Sequence, residues 1–172
     1  LARVDFENPH INVIAFPRAT LVNPPQGLPQ INPPMLLNQA YFFGSPGMNY
    51  FQGSGYGAGA LAATIKENFG IESDHYLVID FQAFVEFIDA IGGIEVDLPT
   101  YVDDLPSSYF PAGKQTLNGA QALTLARVRS KYSDLIRIDN QTLILKAVFA
   151  RLKNPAILLK LPKIYSSLSD SF

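Results

Sequence analysis

Residues 74–98 read Asp-His-Tyr-Leu-Val-Ile-Asp-Phe-Gln-Ala-Phe-Val-Glu-Phe-Ile-Asp-Ala-Ile-Gly-Gly-Ile-Glu-Val-Asp-Leu, and the fold class turns on them. Tyr76 to Ile79 is an apolar, β-branched and aromatic run between two aspartates, so a strand is expected over Asp74–Asp80. From Phe81 the period changes. Phe84, Phe87, Ile88 and Ile91 recur at helical spacing, which predicts a helix over 81–91 with these residues inward and Gly92-Gly93 ending it. Ile94, Val96 and Leu98 then alternate with Glu95 and Asp97, the pattern of a half-buried strand that Pro99 terminates.

Upstream, Leu61, Ile65 and Phe69 are spaced for burial on a helix over Ala58–Asn68, closed by Gly70 as a left-handed cap. Helix, strand, helix and strand in succession point to an α/β sandwich. Nearer the N-terminus, Ile11 to Phe16 reads as a buried strand stopped by Pro17, with Val4–Phe6 as the end of a neighbouring one. Residues 23–56 are rich in Pro, Gly, Asn and aromatics without a sustained period. A stretch of that length is expected to be a folded functional loop or lid with short helical pieces. Tyr101 to Lys114 reads as a second loop. Asn118, with Gln121 three residues on, forms a capping-box signature for a helix over Gly119–Ala126. A long helix follows from about Asp134 to Leu152, with Leu135, Ile138, Thr142, Leu145, Phe149 and Leu152 as its core stripe. A short helix is expected after Pro155, then a Ser-rich tail.

At 172 residues and 48% hydrophobic, the chain suits a single domain over residues 1–172 with a substantial core. A formal net charge of −2 argues against a general nucleic-acid binder. The absence of cysteine excludes disulfides, thiol catalysis and iron–sulfur ligation. His10 and His75 lack metal-type spacing, and no Ser/His/Asp triad is legible. No stretch reaches the roughly 18–20 apolar residues of a membrane span, and no secretory signal opens the chain. Leu1 is not a natural start, so an upstream piece, with or without an anchor, is expected to have been removed.

The segment Arg127–Gln141 carries four of the chain's 13 cations, Arg127, Arg129, Lys131 and Arg137, just before the apolar run of the last long helix. On a helix starting near Ser133, Asp134, Arg137 and Gln141 share one face, and Ile144 and Val148 continue it. Such a face suits a ligand with an anionic head and a greasy tail. Arginine forks donate paired hydrogen bonds to phosphate oxygens and keep their charge. The competing reading is a solvated first turn whose arginines pair with Asp134 or Asp139.

Several motifs in this order resemble the LytR-CpsA-Psr family of bacterial envelope proteins. Ala15-Phe16-Pro17-Arg18 is similar to the family's strand-ending Ile-Pro-Arg-Asp. Leu37-Asn38-Gln39-Ala40-Tyr41 resembles its Ile-Asn-Ala-Ala-Tyr, and Ile71–Pro99 its central strand-helix-strand. Leu117-Asn118-Gly119, Gln121-Ala122-Leu123, Arg127-x-Arg129 and Ser133-Asp134-x-x-Arg137-x-x-x-Gln141 match its next blocks.

The resemblance implies a mixed sheet between helical layers with a hydrophobic pocket for a polyprenyl chain. It also implies a membrane-anchored protein on the extracytoplasmic face of the bacterial membrane. Its activity would be transfer of a glycopolymer, such as teichoic acid or capsule, from a polyprenyl pyrophosphate carrier to peptidoglycan or another wall acceptor. On that basis Arg18, Arg127, Arg129, Arg137 and Gln141 are assigned to the pyrophosphate, with Asp134 and Arg137 catalytic. Asp134 is either a Mg²⁺ ligand or a partner that orients arginine. Phe81, Phe84, Val85, Ile88, Ile144 and Val148 are the candidates for the lipid pocket, and Asn38 and Tyr41 for loop support.

The chain departs from the family pattern in places. Ala19 stands where an aspartate is usual, Asn140 where a second arginine is usual, and Leu36 where lysine is frequent. These departures favour weakened transfer. A non-catalytic lipid-pyrophosphate scaffold and a lipid pyrophosphatase are the alternatives.

Overall fold

The computed structural model describes residues 1–5, 7, 10–28, 31–48, 50–104, 108–128 and 134–159. The chain divides into two compact units, Leu1–Val78 and Ile79–Phe172. Helices are mixed with small antiparallel sheets, in keeping with the expected α/β (α+β) class. Among the described residues the strands pair two by two.

In the first unit, β1 (Ala2–Asp5) lies antiparallel to β2 (His10–Val13), with Ala2 opposite Val13. The ladder thus stops three residues short of the strand end expected at Phe16. β3 (Leu21–Val22) pairs with β4 (Met35–Leu36), which runs directly into α1 (Leu37–Gly44); α2 spans Tyr56–Phe69. The Pro-rich stretch therefore builds core. Leu28, Met35, Leu37 and Ala40 are buried with Val22, Ala60 and Ile65. The helix within it starts because Gln39 Oε1 accepts the Leu36 amide at 2.7 Å, and it buries Leu37, Ala40 and Gly44. Asn38 and Tyr41, expected on a supporting loop, are helical residues of α1. Gly57 allows α1 and α2 to touch, because a Cβ there would sit 2.5 Å from the Tyr41 carbonyl oxygen. Gly70 ends α2 in the left-handed region (φ 69°), where glycine carries no Cβ penalty.

The second unit opens with α3 (Phe81–Ala90), whose N-cap Asp80 accepts the Ala83 amide at 2.7 Å. β5 (Ile94–Leu98) follows as expected, buried at Ile94, Val96 and Leu98 and exposed between them. Its partner is β8 (Gly113–Leu117), with Ile94 opposite Leu117. β6 (Val102–Asp104) pairs with β7 (Ser108–Phe110) in the segment read as loop. α4 (Gly119–Arg127), α5 (Asp134–Leu152) and α6 (Pro155–Leu158) complete the unit. The core joins Ile88, Ile91, Ile94, Val96, Leu98, Val102, Phe110, Leu117, Leu125, Val128, Ile144 and Ala147.

Two expectations are corrected. Asp74–Asp80 joins no ladder among the described residues, and Leu77 is 87% exposed. Its composition suits a strand, but a strand exists only with a hydrogen-bonding neighbour, which local sequence cannot supply. On α5 the deeply buried positions are Arg137, Asn140, Ile144 and Ala147, while Leu145 of the expected core stripe is exposed. Both faces of α5 carry apolar residues, so its period alone does not identify the inward one.

Candidate functional site

The second unit assembles most of the described candidates where α4 ends and α5 begins. Asn118 Oδ1 accepts the Gln121 amide at 2.9 Å, and Gln121 Oε1 accepts the Asn118 amide at 3.0 Å. This is the predicted capping box, and it sets the start of α4. The Gly119 amide donates to Asp89 Oδ1 at 2.7 Å, pinning the beginning of α4 to the far end of α3. A Cβ at Gly119 would stand 2.2 Å from the Val85 carbonyl oxygen, so only glycine lets the two helices approach so closely.

Antiparallel packing then returns the end of α4 to the start of α3. There the Arg127 guanidinium lies over the Phe81 ring, 4.6 Å from its centroid. The ring face carries the negative end of an aromatic quadrupole, which attracts and orients the cation. Both residues are exposed, Phe81 at 59%, so the guanidinium is held in place yet open to a ligand.

α5 closes on the same point. Gln141 Nε2 donates to the Ala126 carbonyl at 3.2 Å, directly beside Arg127. One helical turn earlier is Arg137, buried at 8% exposure and engaged by its surroundings. Asn140 is also buried, at 7%, and its Nδ2 has no hydrogen-bond partner. A shielded donor in that state costs about 1–3 kcal/mol. The sequence treats Asn140 as a lost arginine, whereas the structure makes it a buried amide beside the other candidates.

Arg129 lies outside the described residues, as does the side chain of Asp134; the backbone of Asp134 is the first residue of α5. Among the described residues no three His, Asp or Glu side chains are grouped to hold a metal ion. A preformed carboxylate cage for Mg²⁺ is therefore not offered by them.

The lipid-pocket candidates divide. Ile88 (0% exposed) and Ile144 (4%) belong to the core, and Phe84 and Val148 pack against it. These four are used as core, because the helix face that suits a greasy ligand equally suits the chain's own interior. Val85 is half-buried, its backbone against Gly119. Phe81 is the candidate left exposed.

The remaining candidates belong to the first unit. Arg18 is exposed, and its carbonyl accepts the Asn38 amide at 3.0 Å, so these two meet through the backbone at the start of α1. Tyr41 lines an open, mainly apolar cleft of about 540 Å³ together with Ala58, Leu61, Ile65, Tyr76 and Leu77. No described helix is long and apolar enough to cross a membrane.

The sequence matches the model of the LytR_cpsA_psr family over residues 1–172. The chain belongs to the LytR-CpsA-Psr family. A relative in Bacillus subtilis, named polyisoprenyl-teichoic acid–peptidoglycan teichoic acid transferase TagV, is 35% identical over 127 residues, covering 67% of this chain and 32% of TagV. The cell wall biosynthesis protein LcpA of Corynebacterium glutamicum is 41% identical over 88 residues, or 49% of this chain and 17% of LcpA. The crystal structure of B. subtilis TagV superimposes with a TM-score of 0.76 at 28% identity, covering 96% of this chain and 60% of that one. The LytR-Csp2A-Psr enzyme from Actinomyces oris shares the fold, with a TM-score of 0.71 at 23% identity over 95% of this chain and 60% of that one. This member of the family thus spans a third or less of those two curated relatives and 60% of each of the two solved chains.

Proposed function

We propose that this LytR-CpsA-Psr chain belongs to an envelope glycopolymer phosphotransferase acting on polyprenyl pyrophosphate-linked glycans at the extracytoplasmic face of the membrane. The observation that carries the reading is Arg127 lying over exposed Phe81, with Gln141 tied alongside. A permanently charged fork above a greasy ring is chemistry suited to a pyrophosphate and the first carbons of its prenyl chain. Arg137, Arg129 and Arg18 are the further candidates for the head group. The apolar cleft of the first unit is a second surface able to accept prenyl carbons.

In the proposed reaction a hydroxyl of peptidoglycan or another wall acceptor attacks the phosphorus that bears the glycan. The new O–P bond forms as the bridging P–O bond of the pyrophosphate breaks. Polyprenyl phosphate leaves with the electron pair, and the hydroxyl proton passes to a base, for which Asp134 is the candidate. Such transfers depend on positioning and charge neutralisation more than on covalent participation by the protein. Where Asp134 instead holds Mg²⁺ together with the substrate phosphates, the ion would add to that neutralisation and the hydroxyl proton would pass to solvent.

Ala19 and Asn140 favour a second reading, a protein that binds the lipid pyrophosphate but transfers weakly or not at all. Incubating the chain with labelled lipid-linked teichoic acid and peptidoglycan, with and without Mg²⁺, tests both. Label in the wall fraction supports transfer. Retention of the lipid without transfer supports the binding protein, and release of phosphorylated glycan into solution without acceptor identifies a pyrophosphatase. Absence of lipid binding sinks all three. Ala19→Asp raises turnover if the missing acid is what weakens this copy.

A further inference from the structure

The β6–β7 hairpin, which holds none of the residues assigned to the pyrophosphate, carries an exposed aromatic surface. Val102 and Phe110 are buried at 4% and 5% exposure and anchor the hairpin to the core. Alternation sends their neighbours outward: Tyr101 and Tyr109 are 60% and 62% exposed. Their rings are near-parallel, 29° apart in plane, with centroids separated by 6.3 Å. Two large rings held open to solvent on strands anchored in the core are a recognition surface.

Beside Tyr109 runs a groove of about 320 Å³ between β7 and α4, lined by Ser108, Tyr109, Phe110, Ala120, Gln121 and Thr124. Its polar groups are neutral and have capacity to spare. Gln121 Oε1 is used in the capping box, which leaves its amide N–H groups to donate. Thr124 Oγ1 donates to the Ala120 carbonyl at 2.8 Å and keeps its lone pairs. The Ser108 hydroxyl is shielded and has no hydrogen-bond partner. β6 carries two acids, Asp103 and Asp104, a charge that disfavours a polyanion.

We infer that the Tyr101/Tyr109 pair and the β7–α4 groove form a subsite for a neutral saccharide of the N-acetylhexosamine type, the chemistry of an acceptor glycan strand. The pyranose C–H face packs on the tyrosine rings, and its hydroxyl and acetamido groups bond with Gln121 and Thr124. A phosphate-linked polymer is disfavoured because no cation is among the described residues that line the groove. The assignment to an acceptor strand rests on the proposed transferase reading; the saccharide subsite itself does not.

The test is an NMR titration of the full chain with chitotetraose, and in parallel with poly(glycerol phosphate) and farnesyl pyrophosphate. Saturable shifts for chitotetraose at β6, β7 and α4 amides are expected. Tyr101→Ala and Tyr109→Ala weaken them roughly two- to tenfold each, while Tyr101→Phe and Tyr109→Phe retain affinity within about twofold because the ring face remains. No saturable chitotetraose binding, equal binding by the alanine variants, or stronger binding of poly(glycerol phosphate) at these amides overturns the inference. So does self-association through the same amides, measured by sedimentation. Failure with chitotetraose alongside farnesyl pyrophosphate binding removes the subsite and leaves the proposed function. The reverse result keeps the subsite and removes the pyrophosphate reading.

Discussion

Replacing Arg127 probes the head-group site with little damage to the fold. Arg127 is exposed at the last residue of α4, and its described contact is the Phe81 ring at 4.6 Å. Arg127→Ala therefore removes one exposed cation–π contact, about 0.5–1 kcal/mol of stability. For a chain of this size that lowers the melting temperature by about 1–4 °C. A hydrogen bond from a charged group to phosphate contributes about 1.5–3 kcal/mol, which is roughly tenfold to a hundredfold in affinity. Isothermal titration with farnesyl pyrophosphate measures the difference. Arg127→Lys recovers part of it, since charge returns without the bidentate fork. Phe81→Leu keeps the cation but frees it, for an expected loss of about two- to fivefold. In a double-mutant cycle the Arg127→Ala and Phe81→Leu effects should be non-additive by about 0.5–1 kcal/mol. Unchanged affinity for Arg127→Ala, with melting preserved, refutes the head-group site.

Other outcomes follow from single contacts. Asn140→Leu removes a buried donor without a partner, so it raises stability by about 1 kcal/mol in a thermal melt while weakening farnesyl pyrophosphate binding if that amide serves the ligand. Gly119→Ala places a methyl 2.2 Å from the Val85 carbonyl oxygen, and the forced separation of α3 and α4 costs about 1–3 kcal/mol, seen as a lower denaturation midpoint. Asn118→Ala removes the capping acceptor for Gln121 and costs about 1 kcal/mol by the same measurement. Lys66 and Glu72 form an exposed ion pair at 2.7 Å; their hydrogen bond and mutual charge lower the Glu72 pKa and raise that of Lys66. The carboxylate's contribution is therefore present above the unfolded carboxylate pKa and lost as pH falls through the lowered folded value. The amine's is present below the unfolded lysine pKa and lost as pH rises through the raised folded one. An NMR titration of Glu72 in low and in high salt should show its pKa return toward the ordinary carboxylate value as the pair is screened.

Features written in neighbouring residues were legible before any coordinates. Asn118 caps a helix, Gly70 stops one in a left-handed turn, and Ile94 to Leu98 alternates as a strand. Each depends on contacts within a few positions, so the local text carries the whole signal. The same locality hid β6 and β7, whose short segments read as loop until partners lay alongside them, and it left β8 without an assignment beyond Lys114. It also made Asp74–Asp80 look like a strand with no neighbour to confirm it. Arg127, Arg137 and Gln141 could be named as candidates because their type and spacing suit an anionic ligand. That Phe81 would support Arg127 rather than serve only as a lipid wall had no local sign, since the two are distant in the chain and meet through antiparallel packing of α3 and α4.

Family membership, the mixed helix–strand class and the cationic candidates were determined by the linear order of residue types. Tertiary structure decided which side of α5 is buried, that Ile88 and Ile144 are core, and that Arg127 stands exposed on an aromatic ring. The division has a physical cause. Caps and periodicities are short-range interactions, whereas burial of a given face depends on distant segments that compete for the same apolar surface.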